Sequence, residues 1–266
     1  MQIQRAGRIH YLAPKFSGPA SSIQGFTTRH GGVSRAPYNS LNLGMSTLDQ
    51  RHSVEGNRNL LIQALGDPGD CLLTARQVHG NDILLINEPN ADVAHFLNVE
   101  CDAIITDRPG VMIGVCVADC VPILLLDPDK RVASAVHAGW RGTAAGLVCR
   151  TVEAMKAQFS CNPASIQAAI GPCIMTCCYE VDAPVKRAFE QGGIEWSLVA
   201  SPIEDEKWKL NLSAANRNLL LSAGVMSAAI QTSDICVCCE RDQFFSHRRD
   251  NGETGRQIGF IMLKKR

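Results

Sequence analysis

The spacing of apolar and polar residues changes period several times along this chain, and each change predicts an element. Residues 111–142, VMIGVCVADCVPILLLDPDKRVASAVHAGWRG, carry three apolar runs. Val111 to Val117 is rich in β-branched residues and reads as a strand ending in Ala118-Asp119-Cys120. Pro122 lacks a backbone donor, which argues against an unbroken central strand through it. Ile123 to Leu126 forms the second run and stops at the turn signal Asp127-Pro128-Asp129-Lys130. Arg131 to Val136 forms the third and delivers His137 into the small-residue stretch Ala138-Gly139-Trp140-Arg141-Gly142. Reactive side chains thus fall at the ends of buried strands, where a rigid scaffold presents chemistry.

The same reasoning extends outward. Residues 1–24 hold a strand or two and a loop, and Gly25 to Ser34 a short strand running into a glycine turn. Strands are predicted at Cys71–Val78, Asp82–Ile86, Ala103–Thr106, Ser165–Ile170 and Ile258–Leu263, with short pieces near Ile230, Ile235 and Val237. Helical spacing marks Val54–Leu65, Thr143–Phe159, Val181–Gln191 and Leu212–Ala223, the last capped by Asn211 or Ser213. Asn87–Asn98 reads as a loop and Asp107-Arg108-Pro109-Gly110 as a turn. No repeat, flexible linker, GxGxxG or GxxxxGK[ST] loop interrupts this irregular mixture. The expectation is a single α+β domain over residues 1–266, with mixed β-sheets flanked by helices.

Composition narrows the function. Lys+Arg equals Asp+Glu at 26 each, so nothing global attracts nucleic acid or an anionic membrane. No signal-peptide core or membrane-length apolar run is found, and twelve cysteines in a chain of this length read as reduced thiols in a cytoplasm.

Three candidate metal ligands stand beside turn or small residues: His79-Gly80, Cys120 before Pro122, and His137 before Ala138-Gly139. Their separations of 41 and 17 residues match no compact zinc finger. Two imidazoles and a thiolate leave one position of a tetrahedral zinc ion open for chemistry. Cys120 attacking with His137 as base is a second reading, and a buried cysteine with two hydrogen-bonded histidines a third.

The series TTRHGGVS, PYNSLNLG, QVHG, CDAIITDRPG, ADCVPILL, AVHAGWRGT, IGPCI, CYEV, FFSHRR and TGRQ resembles the YfiH family, in order from about Phe26 to the C-terminus. That family was once described as laccase-like multicopper polyphenol oxidases and is now described as purine nucleoside phosphorylases. The resemblance implies a fold related to the cytotoxic necrotising factor deamidase and a zinc site on His79, Cys120 and His137. It implies phosphorolysis of adenosine, inosine, guanosine and methylthioadenosine, with adenosine deamination as a second reaction. Purine nucleosides and phosphate are then the partners. A hydrolase editing peptidoglycan precursors is the alternative, followed by a copper polyphenol oxidase and a non-catalytic metal-binding partner protein. Copper fits less well, since only seven histidines are present and none cluster.

Within that frame Arg141, near His137 in sequence, is the expected phosphate or ribose contact, because a guanidinium pairs bidentately with phosphate. Arg29 beside Gly31-Gly32, together with Asn42, Ser246 and Arg248, are further substrate candidates, with His247 less so. Asp119 faces away from Cys120 if the strand runs on, and joins the site only if the chain bends. Met45-Ser46-Thr47-Leu48-Asp49, after Gly44, departs from the family's pattern, where an acidic glycine-containing stretch is expected. Cys173, Cys177, Cys178, Cys236, Cys238 and Cys239 lack the two CxxC pairs of a zinc ribbon and read as packing thiols.

Overall fold

The computed structural model of the chain describes residues 1–18, 22–67, 69–87, 96 and 98–265. Most of the expected loop Asn87–Asn98 lies outside them. The first sheet runs in the order β1 (Gln2–Ala6), β2 (Ile9–Ala13), β3 (Ser22–Thr27), β15 (Gln257–Leu263), β7 (Val111–Val117) and β4 (Cys71–Leu73). The second runs β14 (Ile230–Thr232), β10 (Gln167–Ile170), β8 (Val121–Asp127), β9 (Val132–Ala138), β6 (Ala103–Thr106) and β5 (Ile83–Ile86). Both are mixed: β4 pairs parallel to β7, β14 to β10 and β5 to β6, and the remaining pairs are antiparallel. A small antiparallel sheet joins β11 (Glu180–Asp182), β13 (Lys207–Leu210) and β12 (Ala200–Glu204). The expected α+β class with mixed sheets flanked by helices is the one observed.

Period-two alternation sorts the strand side chains into layers. Ile113, Val115, Ile261 and Leu263 of the first sheet meet Leu124, Leu126, Ala133 and Ala135 of the second. On the second sheet's other face, Ile123, Leu125 and Val136 pack against Val148, Val152 and Met155 of α3 (Leu147–Phe159), and against Phe189 of α4 (Ala183–Gln191) and Leu220 of α5 (Leu212–Ser222). On the first sheet's other face, Met112, Ile258 and Phe260 cover Leu61 of α1 (Arg51–Leu65). β8 and β9 are buried at every residue because both faces are covered, which explains their continuous apolar runs.

Several expected boundaries move. Pro122 is the second residue of β8, where a missing donor is tolerated, and the break falls earlier at Asp119, whose φ is +96°. β9 continues through His137, opposite Pro122. The expected strand Cys71–Val78 stops at Leu73, leaving His79 on a loop. One expected helix is two, α2 (Trp140–Ala144) and α3, separated by left-handed Gly146 at φ +69°. Val181 belongs to β11, and the helix after it starts with Pro184 in its first turn. Asn211 is the cap of α5, its side chain accepting from the Ala214 N–H at 2.9 Å. No helix among the described residues is long and apolar enough to cross a membrane.

Candidate active site

Sheet register brings the three candidate ligands together. The antiparallel pairs Val121↔Ala138 and Pro122↔His137 set Cys120, one residue before β8, beside the end of β9. His79 comes in from the loop after β4, which Gln77 pins to β7 by donating to the Cys116 carbonyl at 2.8 Å and accepting from its N–H at 2.7 Å. The ligating atoms of His79, Cys120 and His137 all lie within 4.8 Å of one another. His79 has φ +60° and Asp119 φ +96°, so two residues of the site hold left-handed backbone. Gly139 completes the fit: a methyl there would stand 3.1 Å from both Cys120 Sγ and His79 Cδ2.

Behind the ligands sits Asp102, fully buried just before β6. Its Oδ1 accepts from His137 Nδ1 at 2.7 Å and from the His79 N–H at 3.0 Å. Its Oδ2 accepts from the N–H groups of Gly80 at 2.7 Å and Val78 at 3.2 Å. One carboxylate therefore orients one imidazole and clamps the loop that carries the other. Burial would raise the Asp102 pKa, but His137 and the Gly80 and Val78 amides hold it below the ordinary carboxylate value. Burial would also raise the Cys120 thiol, yet the two imidazoles bring it down to about 6. His137 moves the other way: burial lowers it, but Cys120 and Asp102 raise it to about 9.

These residues open into a cavity of about 890 Å³, within the range of small-molecule sites. Cys120, His79 and His137 line it, with Arg248, Arg256, Arg76 and Arg51 as cationic neighbours and Tyr179 and Ile174 on another wall. Met45 and Ser46, from the stretch that departs from the family pattern, also line it.

The family described as multi-copper polyphenol oxidoreductase laccase matches residues 23–264. The chain belongs to that family. Its members include the relative named purine nucleoside phosphorylase YlmD of Geobacillus stearothermophilus, 37% identical over 98% of this chain and 96% of the relative. A relative named purine nucleoside phosphorylase in Deinococcus radiodurans is 40% identical over 91% of this chain and 89% of its own. The crystal structure of the Geobacillus YlmD superposes with a TM-score of 0.90 at 36% identity, covering 99% of both chains. That of Bacillus licheniformis YfiH gives 0.87 at 33% identity, covering 94% of this chain and 98% of the other.

A laccase-like family member needs a metal, and the donor set here fits one. A thiolate and two imidazoles converge, one imidazole is oriented by a buried carboxylate, and among the described residues no fourth protein ligand joins the group. Because Nδ1 of His137 is committed to Asp102, Nε2 is the nitrogen on the Cys120 side.

The other expected site residues separate. Arg248 lines the cavity, its guanidinium donating to the Glu180 carbonyl at 3.2 Å and lying 5.4 Å from the Tyr179 ring centroid. Ser246 is buried and donates to Asp119 Oδ1 at 2.6 Å, while Asp119 Oδ2 accepts from the Arg248 N–H at 2.6 Å. The chain does bend at Asp119, and its carboxylate holds the Ser246–Arg248 segment rather than joining the three ligands. Asn42 has no hydrogen-bonding capacity left for substrate. Its amide donates to Thr47 and Asp49 and accepts from the N–H groups of Gly44 and Arg256, in full burial. Arg29 donates to the carbonyls of Asn39 and Arg241 and stacks on Phe245, outside the cavity lining. Arg141 is also outside the lining: it is exposed, its guanidinium 4.2 Å from the Trp140 ring centroid, and its charge reaches Tyr179 of the cavity wall.

Sequence did not single out several lining or supporting residues, Asp102, Tyr179 and Arg256 among them. Asp102, Tyr179 and Arg256 lie within motifs that carry the family resemblance, which was the available signal. His247, the weaker candidate, lines the cavity.

Proposed function

We propose that this chain is a purine nucleoside phosphorylase whose metal is zinc, held by His79, Cys120 and His137. The observation that carries the reading is the Asp102-backed ligand trio in a cavity that also presents Arg248 and Arg256. The names of relatives at 37% and 40% identity support it. Copper in several ions has less support. Among the described residues only two groups of three or more potential ligands converge, and neither holds more than two histidines.

Zinc held by His79, Cys120 and His137 would supply a Lewis acid for an oxygen of phosphate or water. The chain's own residues do the rest. Arg248 and Arg256 take over the anion role expected of Arg141 and hold phosphate by charge-assisted hydrogen bonds. Held in that position, an oxygen of hydrogen phosphate attacks C1′ of the nucleoside as the bond to the purine breaks, and the phosphate's proton passes to the departing purine, giving free base and ribose 1-phosphate, or methylthioribose 1-phosphate from methylthioadenosine. Tyr179, whose pKa is raised by burial and by the negative charge of Cys120, stays protonated in the cavity wall, so its hydroxyl is available to donate to substrate. Adenosine, inosine, guanosine and methylthioadenosine are the proposed substrates. Adenosine deamination is a second reaction in which water replaces phosphate. Twelve free cysteines suit a reducing cytoplasm.

The test is incubation of the zinc-loaded protein with adenosine and phosphate, following adenine and ribose 1-phosphate, with Cys120→Ala as control. Phosphate-dependent base release that the control lacks is the expected result. Absence of such release from all four nucleosides would refute the proposal.

A further inference from the structure

A second cluster of metal-ligating side chains stands outside the active site. We propose that Cys177, Cys178, Cys236 and Cys239 form a tetrathiolate site that holds one zinc ion. Their sulfurs all lie within 4.8 Å of one another, with Cys239 Sγ 3.5 Å from that of Cys177 and 3.4 Å from that of Cys178. Four thiolates arranged tetrahedrally at the zinc–sulfur bond length of about 2.3 Å stand about 3.8 Å apart, so small side-chain adjustments complete the site. A cluster that bridges several irons holds its cysteines on different metal atoms, and four sulfurs this close suit a single ion. All-sulfur tetrahedral donors select zinc among the common divalent ions.

Packing alone does not explain the cluster. Cys173 nearby is fully buried and behaves as a small hydrophobe, whereas Cys177 and Cys239 are exposed. Adjacent cysteines point apart in a strand, but residues 176–178 form a turn, which lets Cys177 and Cys178 face the same partner. Cys236 and Cys239 supply a C-x-x-C pair on a second turn. The Cys173↔Cys236 bridge sets the two turns side by side. The N–H of Met175 points at Cys236 Sγ at 3.4 Å, a contact that stabilises a thiolate. Binding replaces S–H bonds by S–Zn bonds and releases up to four thiol protons to solvent.

The position gives the ion a bracing role. It ties the turn between Ile174 and Tyr179, both in the cavity wall, to residues 236–239. Those residues are held in turn by Arg249, the neighbour of Arg248, which donates to the Val237 carbonyl at 2.9 Å.

Reduced wild-type protein from zinc-supplemented cells should carry about two zinc ions per chain, and X-ray absorption should find two to three sulfurs per zinc on average. Cys177→Ser/Cys239→Ser should fall to about one zinc with a single sulfur. Cys120→Ser, with the second site intact, should keep an ion surrounded by four sulfurs, so a misfolded double variant cannot decide the matter alone. One zinc with four sulfurs in the wild type would uphold this site while refuting zinc at the active site. One zinc with a single sulfur would overturn it. So would copper alone, or a loss of two hydrogens from the metal-free chain that reduction restores, since that marks a disulfide.

Discussion

Asp102→Asn removes a charge with almost no change of shape, and its consequences follow from four hydrogen bonds. Each carboxylate oxygen accepts two N–H donors: His137 Nδ1 and His79 N on Oδ1, Gly80 N and Val78 N on Oδ2. An amide keeps one accepting oxygen and turns a donor toward the other pair. If the amide nitrogen faces Gly80 and Val78, two N–H groups lose their acceptor and the His79 loop loosens. If it faces His137, Nδ1 must accept, the proton moves to Nε2, and that nitrogen can no longer ligate a metal. Each group left unsatisfied costs about 1–3 kcal/mol, so the first route loses about 2–6 kcal/mol and the second, which orphans only the His79 N–H, about 1–3 kcal/mol. For a chain of this size that lowers Tm by roughly 10 °C. Zinc affinity should fall about 10–100-fold, as for other partners that orient ligating histidines. Competition against a chromophoric chelator, with thermal melts of metal-free protein, measures both. A variant with wild-type zinc affinity and an unchanged melt would refute the role assigned to Asp102.

Gly139→Ala places a methyl 3.1 Å from Cys120 Sγ and His79 Cδ2, so zinc affinity should drop about tenfold by the same chelator assay; no change would show that the loop yields freely. Arg248→Ala should cut phosphorolysis about 10–100-fold through KM for phosphate, whereas exposed Arg141→Ala should leave steady-state kinetics near wild type; the reverse order would return the phosphate to Arg141. Acidification should release the active-site zinc, because Cys120, His79 and His137 must all be deprotonated to ligate; dialysis across a pH series with metal analysis checks this, and constant occupancy would exclude these ligands.

What the sequence alone determines here is local. Alternation at Val111–Val117 and Ile123–Leu126, the turn at Asp127–Lys130 and the cap at Asn211 are set within a few residues, so period and turn chemistry reveal them. The same pattern marks Cys120 and His137 as strand-end residues, and ordered motifs carry the family. Even locally, one left-handed glycine splits a helix whose apolar spacing runs across the break, because spacing reports a buried face and not backbone continuity. The tertiary structure decided the rest. Asp102 is legible only as one acidic residue in a motif, since its partners lie 22 to 35 residues away and sheet register brings them to it. Arg141 is near His137 in the chain but lies outside the cavity lining, while Arg256, one residue before β15, is part of it. Cys177 and Cys239 are 62 residues apart and meet because a single bridge aligns two turns. Side-chain chemistry is written residue by residue, but which groups share a volume is set by long-range pairing and packing, which no local pattern encodes.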